Sequence, residues 1–516
     1  MHHTKTRRGK GGLKAVLAAA MSAALMLGGA VPAGAQPAAV KQPAAAEAAG
    51  TAWKAKAAPL PAASQQAETR KEESRKEGAG LSKEELQRLN MVMELIQRQF
   101  YEKVDRDKLV NGALQGMVEA LGDPYSTYMD VKAAKQFAEA VEGSFGGVGA
   151  EVTSEAGKVV IVSPIKGSPA EKAGLAAKDV ILSVNGSELS GLPISEAVAK
   201  LRGPKGSKAD LVVLRGGRGN PFSVRVVRAE IDVETVHAKK MDGGIGLIEI
   251  RQFSMNTAER FAAELTQLEK SGLKGLVIDV RNNPGGILPV VEQIAQPFVP
   301  QGRPIVQIQQ RGQVAEKVMS EGGGKSYPVA VLINKGSASA SEILAGALRQ
   351  SAGAVLVGET SFGKGTVQVS YDRQLEGGLV KMTIAKWLTP DGSWIHRSGI
   401  KPDINSNPPA LYTASRLSRS GSIAADAISE DAKNLQVMLE GLGYRPGRTD
   451  GYFSSGTAEA VKKFQKASGL KASGIADVPT QEKLEGAVRA WVMSGEHDAQ
   501  LKAAVKALRS GQGALK

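Results

Sequence analysis

The chain has 516 residues, of which 42% are apolar, with 66 Lys and Arg against 52 Asp and Glu for a formal charge of +14. That is enough for several domains with cores of their own. With no Cys, 5 His and 4% aromatic residues, disulfides, thiolate nucleophiles, and Cys-held zinc or iron–sulfur sites are excluded, while an imidazole-built metal centre and a stacked-aromatic nucleic-acid reader are disfavoured.

The basic excess has a location. Lys5, Arg7, Arg8, Lys10 and Lys14 precede the first acidic residue, Glu47. The modest surplus that remains suits an acidic wall polymer or membrane surface better than DNA, so no nucleic-acid partner is expected. After the basic start come an uncharged apolar run at 15–27 and a small-residue stretch ending in Ala33-Gly34-Ala35. This is the order of an export signal, assigned to 1–35. Its core is short for a bilayer span, and an uncleaved anchor is the alternative. Either way the working domains are expected outside the cytoplasm.

Residues 36–80 are Ala, Pro, Gln, Lys and Glu with few large apolar side chains, which predicts a disordered tether. Residues 81–141 predict a helical domain. Ser82-Lys83-Glu84-Glu85 is a capping-box pattern before Leu86, Leu89, Met93, Ile96 and Phe100 at helical spacing. Further helices are predicted over 106–121 and 131–141. Such helices could pair with those of a second copy.

Residues 142–228 change to short β runs between glycines, with strands near 149–152, 159–162, 179–184 and 209–215 and helices near 169–174 and 194–201. From 229 to 404 strands and helices alternate. Strands are predicted at 245–250, 275–280, 329–333 and 355–358, and helices over 257–271, from 287, and over 341–349. This argues α/β with a largely parallel sheet and a site in the loops after its strands. A Ser-, Ala- and Pro-rich linker is expected at 405–430, an all-α unit at 431–488, and one amphipathic helix at 489–516. The fold class is thus multidomain: N-terminal helices, a β-rich module, an α/β core and a three-helix unit.

Without thiols and with few imidazoles, chemistry falls to Ser, Thr, Lys or carboxylates. Three glycine-rich loops follow α/β strands. Asp279-Val280-Arg281-Asn282-Asn283-Pro284-Gly285-Gly286 can turn backbone N–H groups toward developing negative charge. Asn334-Lys335-Gly336-Ser337-Ala338-Ser339-Ala340-Ser341-Glu342 presents serines at a helix start. Gly358-Glu359-Thr360-Ser361-Phe362-Gly363-Lys364-Gly365-Thr366 nearly matches a P-loop, but Gly365 stands where the magnesium-binding hydroxyl belongs and a strand, not a helix, follows. A desolvated Lys364 could instead serve as base to a serine. A Ser–His pairing through His396 is the secondary option. Gln368 shares strand parity with Lys364, and contact between them needs a bend at Gly365.

In this order the loops resemble those of the carboxyl-terminal processing peptidases, or tail-specific proteases. Asp123-Pro124-Tyr125-Ser126-Thr127-Tyr128 and Gly399-Ile400-Lys401-Pro402-Asp403 also look like that family, and the likeness spans about 81–403. It implies a serine endopeptidase with a Ser–Lys dyad: Ser339 as nucleophile, Lys364 as base, Gln368 orienting it, and backbone N–H groups of Gly285 and Ala340 as oxyanion hole, with Gly286 as the alternative donor. No metal or other cofactor is implied. Residues 142–228 resemble a PDZ domain on Gly146-Gly147-Val148-Gly149-Ala150 and on the stretch from Gly167 to Leu175. The likeness implies binding of peptide C-termini near Gly147, Val148 and Gly149, with Arg202 a candidate link to the protease. Residues 431–488 resemble the three-helix peptidoglycan-binding domain on Leu435-Gln436, Asp450-Gly451, Phe453, Thr457 and Phe464-Gln465. Together these imply an exported, wall-associated, PDZ-gated endopeptidase that recognises and cleaves proteins at or near their C-termini. The alternative is an inert peptidoglycan-binding scaffold.

Overall fold

The computed structural model describes residues 80–516 except 156, 218, 373–374, 376–377 and 515–516. The expected export signal, and all but the last residue of the expected tether, lie outside them. Among the described residues no helix is long and apolar enough to cross a membrane.

The first helices are α1 (Lys83–Gln99) and α2 (Arg106–Glu119), followed by strand β1 (Thr127–Met129) and α3 (Val131–Glu142). The capping box forms as predicted. Ser82 Oγ accepts from the Glu85 N–H at 3.2 Å and the Glu85 carboxylate accepts from the Ser82 N–H at 2.8 Å. Neither α1 nor α2 buries a residue, so Leu86, Leu89, Met91 and Leu95 of α1 remain exposed.

The β-rich module contains β2 (Ser144–Gly147), β3 (Ala150–Glu155), β4 (Lys158–Pro164), α4 (Pro169–Lys172), β5 (Val180–Val184), β6 (Ser187–Glu188), α5 (Ile194–Leu201), β7 (Lys208–Leu214), β8 (Phe222–Val227) and β9 (Ala229–Asp232). Its main sheet runs β3-β4-β5-β7-β8, with β6 on β5, so β3 is an edge. Strands β2 and β9 pair separately. Ile161, Ile181, Leu211 and Val213 close on Ala197 and Leu201 of α5 to make the module's core.

The α/β core follows: β10 (Val236–Met241), β11 (Ile245–Ile250), α6 (Thr257–Lys270), β12 (Gly275–Asp279), α7 (Leu288–Ala295), β13 (Pro304–Gln310), β14 (Gln313–Met319), β15 (Val329–Ile333), α8 (Ala340–Ala347), β16 (Val355–Gly358), β17 (Thr366–Tyr371), β18 (Leu379–Leu388) and β19 (Ile404–Asn405). The predicted helix 341–349 ends as α-helix at Ala347 and closes with one π turn, Leu348–Ala352. The central sheet runs β10-β11-β12-β15-β16-β19 and is parallel except for β10 against β11. A second, antiparallel sheet runs β1-β18-β13-β14, with β17 on β18. A strand of the N-terminal region is therefore built into the core: Thr127 and Met129 pair with Lys381 and Leu379.

Successive side chains of a strand point to opposite faces, and both faces of the central sheet are buried. Leu276, Ile278, Val329, Val331, Ile333 and Leu356 face α6, α7 and α8. Val277, Ala330, Leu332, Val355 and Val357 face the other way. That second face is covered by a helix from the end of the chain.

The C-terminal unit has α9 (Glu430–Gly441), α10 (Ser455–Ala467) and α11 (Val478–Met493), then a separate α12 (Ala499–Arg509). Two glutamines organise it alike. Buried Gln436 donates to the Tyr452 carbonyl and Thr457 Oγ1 and accepts from the Gly451 N–H. Gln465 does the same with Ile475, Thr480 and Gly474.

Two expectations for this region fail. The single helix expected at 489–516 is interrupted at 494–498, and Ala504, Ala507 and Leu508 of α12 pack on the central sheet. The stretch expected as a linker is instead a strap around the three helices. Its Leu411, Ala414, Leu417 and Ile423 enter their core, and Tyr412 stacks edge-on against Trp491 at 5.5 Å. Buried leucines truncated to alanine cost about 2–5 kcal/mol. Leu411→Ala and Leu417→Ala should each destabilise the unit by that order in urea unfolding followed by Trp491 fluorescence. A loose linker would show no change.

Candidate active site

The three glycine-rich loops leave the carboxyl ends of β12, β15 and β16 and meet there. Asn283 joins the first to its surroundings: its Nδ2 donates to the Ile250 carbonyl at 2.8 Å, and its own carbonyl accepts from Ser341 Oγ and the Ala338 N–H. Ser337 and Ser341 are fully buried, and their hydroxyls are committed to the Val280 and Asn283 carbonyls at 2.8 and 2.9 Å. Ser339 alone of the three is half-buried rather than buried. It sits at φ 54°, ψ −113° at the start of α8, a conformation that costs a non-glycine residue about 1–3 kcal/mol and persists only when its surroundings impose it.

What imposes it is Glu342, one turn on. Its buried carboxylate accepts from the Ser339 N–H at 2.8 Å, the Lys364 N–H at 2.8 Å, the Gly363 N–H at 2.6 Å and Ser361 Oγ at 2.6 Å. The Ser339 and Lys364 nitrogens share the same oxygen, Oε2, so they lie within twice 2.8 Å of each other. Burial raises the Glu342 pKa above its ordinary value, against the downward pull of these four hydrogen bonds.

Lys364 is held from both sides of its backbone, since its carbonyl accepts from Trp387 Nε1 at 2.8 Å. Its Nζ lies 5.1 Å from the centre of the Tyr125 ring. Burial lowers its pKa to about 8, opposed by the charges of Asp123 and Glu342. Tyr125 belongs to the loop before β1. That loop is stitched down by Ser126, whose Oγ donates to Asp123 at 2.6 Å and accepts from the Thr383 N–H of β18 at 3.1 Å. A second lysine, Lys381 on β18, lies over the Phe137 ring at 5.6 Å. Burial, then repulsion from Lys364, lowers its pKa to about 7.

The remaining predicted residues fall around this centre. Gly285 (φ 106°) passes so close that a Cβ there would stand 2.9 Å from Ser339 Cβ and 3.0 Å from the Ala340 nitrogen. Its N–H, however, donates to Asn283 Oδ1 at 2.8 Å. The N–H groups of Gly286 and Ala340 form no hydrogen bond among the described residues. Gln368 follows a bulge between Val367 and itself, and its amide nitrogen donates to Thr366 and Thr383 at 2.9 and 3.1 Å. His396 stacks on Trp394 at 5.1 Å, and its Nδ1 accepts from the Gly365 N–H at 3.3 Å. It thus contacts the lysine loop. Among the described residues no cluster suits a metal ion.

In the β-rich module, Val148 is buried and its carbonyl accepts from the Ala170 N–H, while the Gly149 carbonyl accepts from Ile165 N–H and Ser168 Oγ. A Cβ on Gly149 (φ 78°) would strike Ser168 Cβ at 2.4 Å. Gly147 closes β2 against Ala229. These three residues lead into edge strand β3, alongside α5. Arg202, capping α5, pairs with Glu139 of α3 at 2.9 Å and covers the Phe145 ring at 4.3 Å.

Comparison with known proteins decides the family. Residues 244–406 match the model for peptidase family S41, 44–133 that for the activating protease CtpB N-terminal domain, 160–215 that for a PDZ domain and 429–484 that for a putative peptidoglycan binding domain. The chain is 46% identical over 427 residues to the carboxy-terminal processing protease CtpB of Bacillus subtilis (strain 168), covering 82% of this chain and 89% of that protein. It is 40% identical over 432 residues to CtpA of the same organism, covering 84% and 92%. The chain belongs to peptidase family S41. It is a carboxy-terminal processing serine protease with a PDZ domain and a peptidoglycan-binding domain.

Two contributors to this peptidase site escaped the sequence reading. Glu342 was legible, since Ser339-Ala340-Ser341-Glu342 is itself a capping-box pattern. Tyr125 was not, because nothing local places it over Lys364. A carboxamide at 342 has a single acceptor oxygen for the four donors and brings an N–H₂ among them. Misplacement of catalytic groups by about 1 Å can cost on the order of 10²-fold. Glu342→Gln should therefore lower kcat by about that factor with little change in KM, as steady-state peptide cleavage would show.

Proposed function

We propose that this chain is an extracytoplasmic, wall-associated endopeptidase that engages substrate C-termini through its PDZ domain and cleaves nearby with a Ser339–Lys364 dyad. The observation that carries the reading is the shared Glu342 oxygen. It supports a geometry in which the one accessible serine of its loop faces Lys364, whose backbone shares that oxygen and whose buried amine has a pKa lowered to about 8.

In this reading Ser339 Oγ attacks the substrate carbonyl carbon while neutral Lys364 takes its proton. The lysine ammonium returns that proton to the departing amine, and water then hydrolyses the ester by the same route. The oxyanion is received by the unoccupied N–H groups of Gly286 and Ala340, while Gly285 supplies the clearance beside Ser339. Gln368, its nitrogen anchored on two threonines, offers its amide oxygen to Lys364. The free edge of β3 supports addition of a substrate strand, with its carboxylate at the turn of Gly147, Val148 and Gly149. Arg202, joining α5 to α3, supports a route from that groove toward the peptidase. The exposed face of α1 supports pairing of two copies.

A lysine that acts as base must be unprotonated. With its pKa held at about 8, activity is present above that value and is lost as the pH falls through it. Ser339→Ala and Lys364→Ala should each abolish cleavage of an unstructured peptide, and wild-type kcat/KM should fall about tenfold per pH unit below the lysine pKa. Cleavage retained by either variant sinks the dyad. The wall assignment rests on the C-terminal unit. Full-length protein should co-sediment with purified peptidoglycan, and protein that stays in the supernatant at physiological salt would refute the tether.

A further inference from the structure

The chain leaves the peptidase after β19, builds the wall-binding unit, and comes back. Helix α12 returns to the central sheet and fills its second face through Ala504, Ala507 and Leu508 against Val277, Ala330, Leu332 and Val357. Its first turn lies at the carboxyl ends of the strands, where the catalytic loops begin. There Asp498 performs two tasks. It caps α12 by accepting from the Leu501 N–H at 2.9 Å, and it grips Arg281 through both oxygens, at 3.0 Å from Nη1 and 2.7 Å from Nη2. Gln500 accepts from the same Nη1 at 2.8 Å and donates to the Ser406 carbonyl beside β19 at 2.7 Å.

Arg281 opens the loop that runs through Asn282 (φ 57°) to Gly285 and Gly286. Its Nε, its Nη2 and its backbone N–H are held by Asp279 at the end of β12, with Nη2 shared between Asp279 at 2.6 Å and Asp498. The outer edge of its guanidinium is held by Asp498 and Gln500. A forked, largely buried pairing of this kind fixes orientation as well as position. We propose that Asp498 and Gln500 are positioning residues for peptide-bond hydrolysis, acting through Arg281 on the loop that carries the oxyanion donors. The segment after the wall-binding unit is then part of the protease, and the unit is an insertion bracketed by it. This rests on the assignment of Ser339 and its oxyanion loop.

The test uses the full-length chain. Asp498→Ser keeps a helix-capping hydroxyl but removes the forked carboxylate. It should lower kcat about 10- to 100-fold, on the scale of a small misplacement of reacting groups, with KM and the affinity of the PDZ domain for a free C-terminal peptide unchanged. Affinity for a peptidyl boronate, which forms a tetrahedral adduct on serine, should fall by the same factor. An unchanged urea-unfolding midpoint in the same sample reports that the variant is folded. Arg281→Met should show a comparable loss, and adding Asp498→Ser to it should lower kcat no further. Wild-type kcat in Asp498→Ser, or independent losses in the double variant, would overturn the proposal. Ser339→Ala is the control. Activity surviving there would fault the nucleophile assignment, whereas a dead Ser339→Ala beside an unimpaired Asp498→Ser would fault this inference alone.

Discussion

Four donors from two loops converge on the carboxylate of Glu342, and the rest of the site is arranged around that convergence. A buried carboxylate is expensive unless its lone pairs are filled. Here they are filled by the backbone of the serine loop, the backbone of the lysine loop and the Ser361 hydroxyl. The same contacts that satisfy the charge hold Ser339 in a backbone conformation it would not otherwise adopt. Satisfying the buried group and presenting the hydroxyl are one requirement.

The lysine side depends on a different part of the chain. Tyr125, over Lys364, comes from a loop outside the α/β core that is locked in place by β1 pairing with β18 and by the Asp123–Ser126–Thr383 chain of hydrogen bonds. Desolvation of the amine, the largest cause of its lowered pKa, thus relies on the docking of the N-terminal segment. The PDZ module lies between that segment and the core in sequence and touches it through Arg202 and Glu139. Helix α3 thus joins the N-terminal segment to the PDZ module.

Much of this was readable from the chain and some was not, for identifiable reasons. The loops were legible because glycine, small residues and a following helix or strand are local signals. The family resemblance implied Ser339 from the sequence, whereas the burial of Ser337 and Ser341 is a tertiary fact that only the fold displays. The strap at 410–423 was masked by its Ser and Pro content, which hid the four apolar residues that matter. The separate α12 left a clue: Val329–Ile333 is apolar at every position, as expected of a strand covered on both faces. The helices predicted within 229–404 fill one face, and the cover for the other was missing. The strand Thr127–Met129 gave no clue, since three residues carry no period.

The return of α12 has a consequence for biosynthesis. Ribosomes deliver a chain from its N-terminus, so Ser339 and Lys364 emerge well ahead of the helix that seals the sheet above them. During that interval Val277, Leu332 and Val357 lack their apolar cover, and Arg281 lacks its outer grip. Until the helix docks, that sheet presents an open apolar face, the kind of transiently exposed surface that makes folding intermediates prone to aggregate.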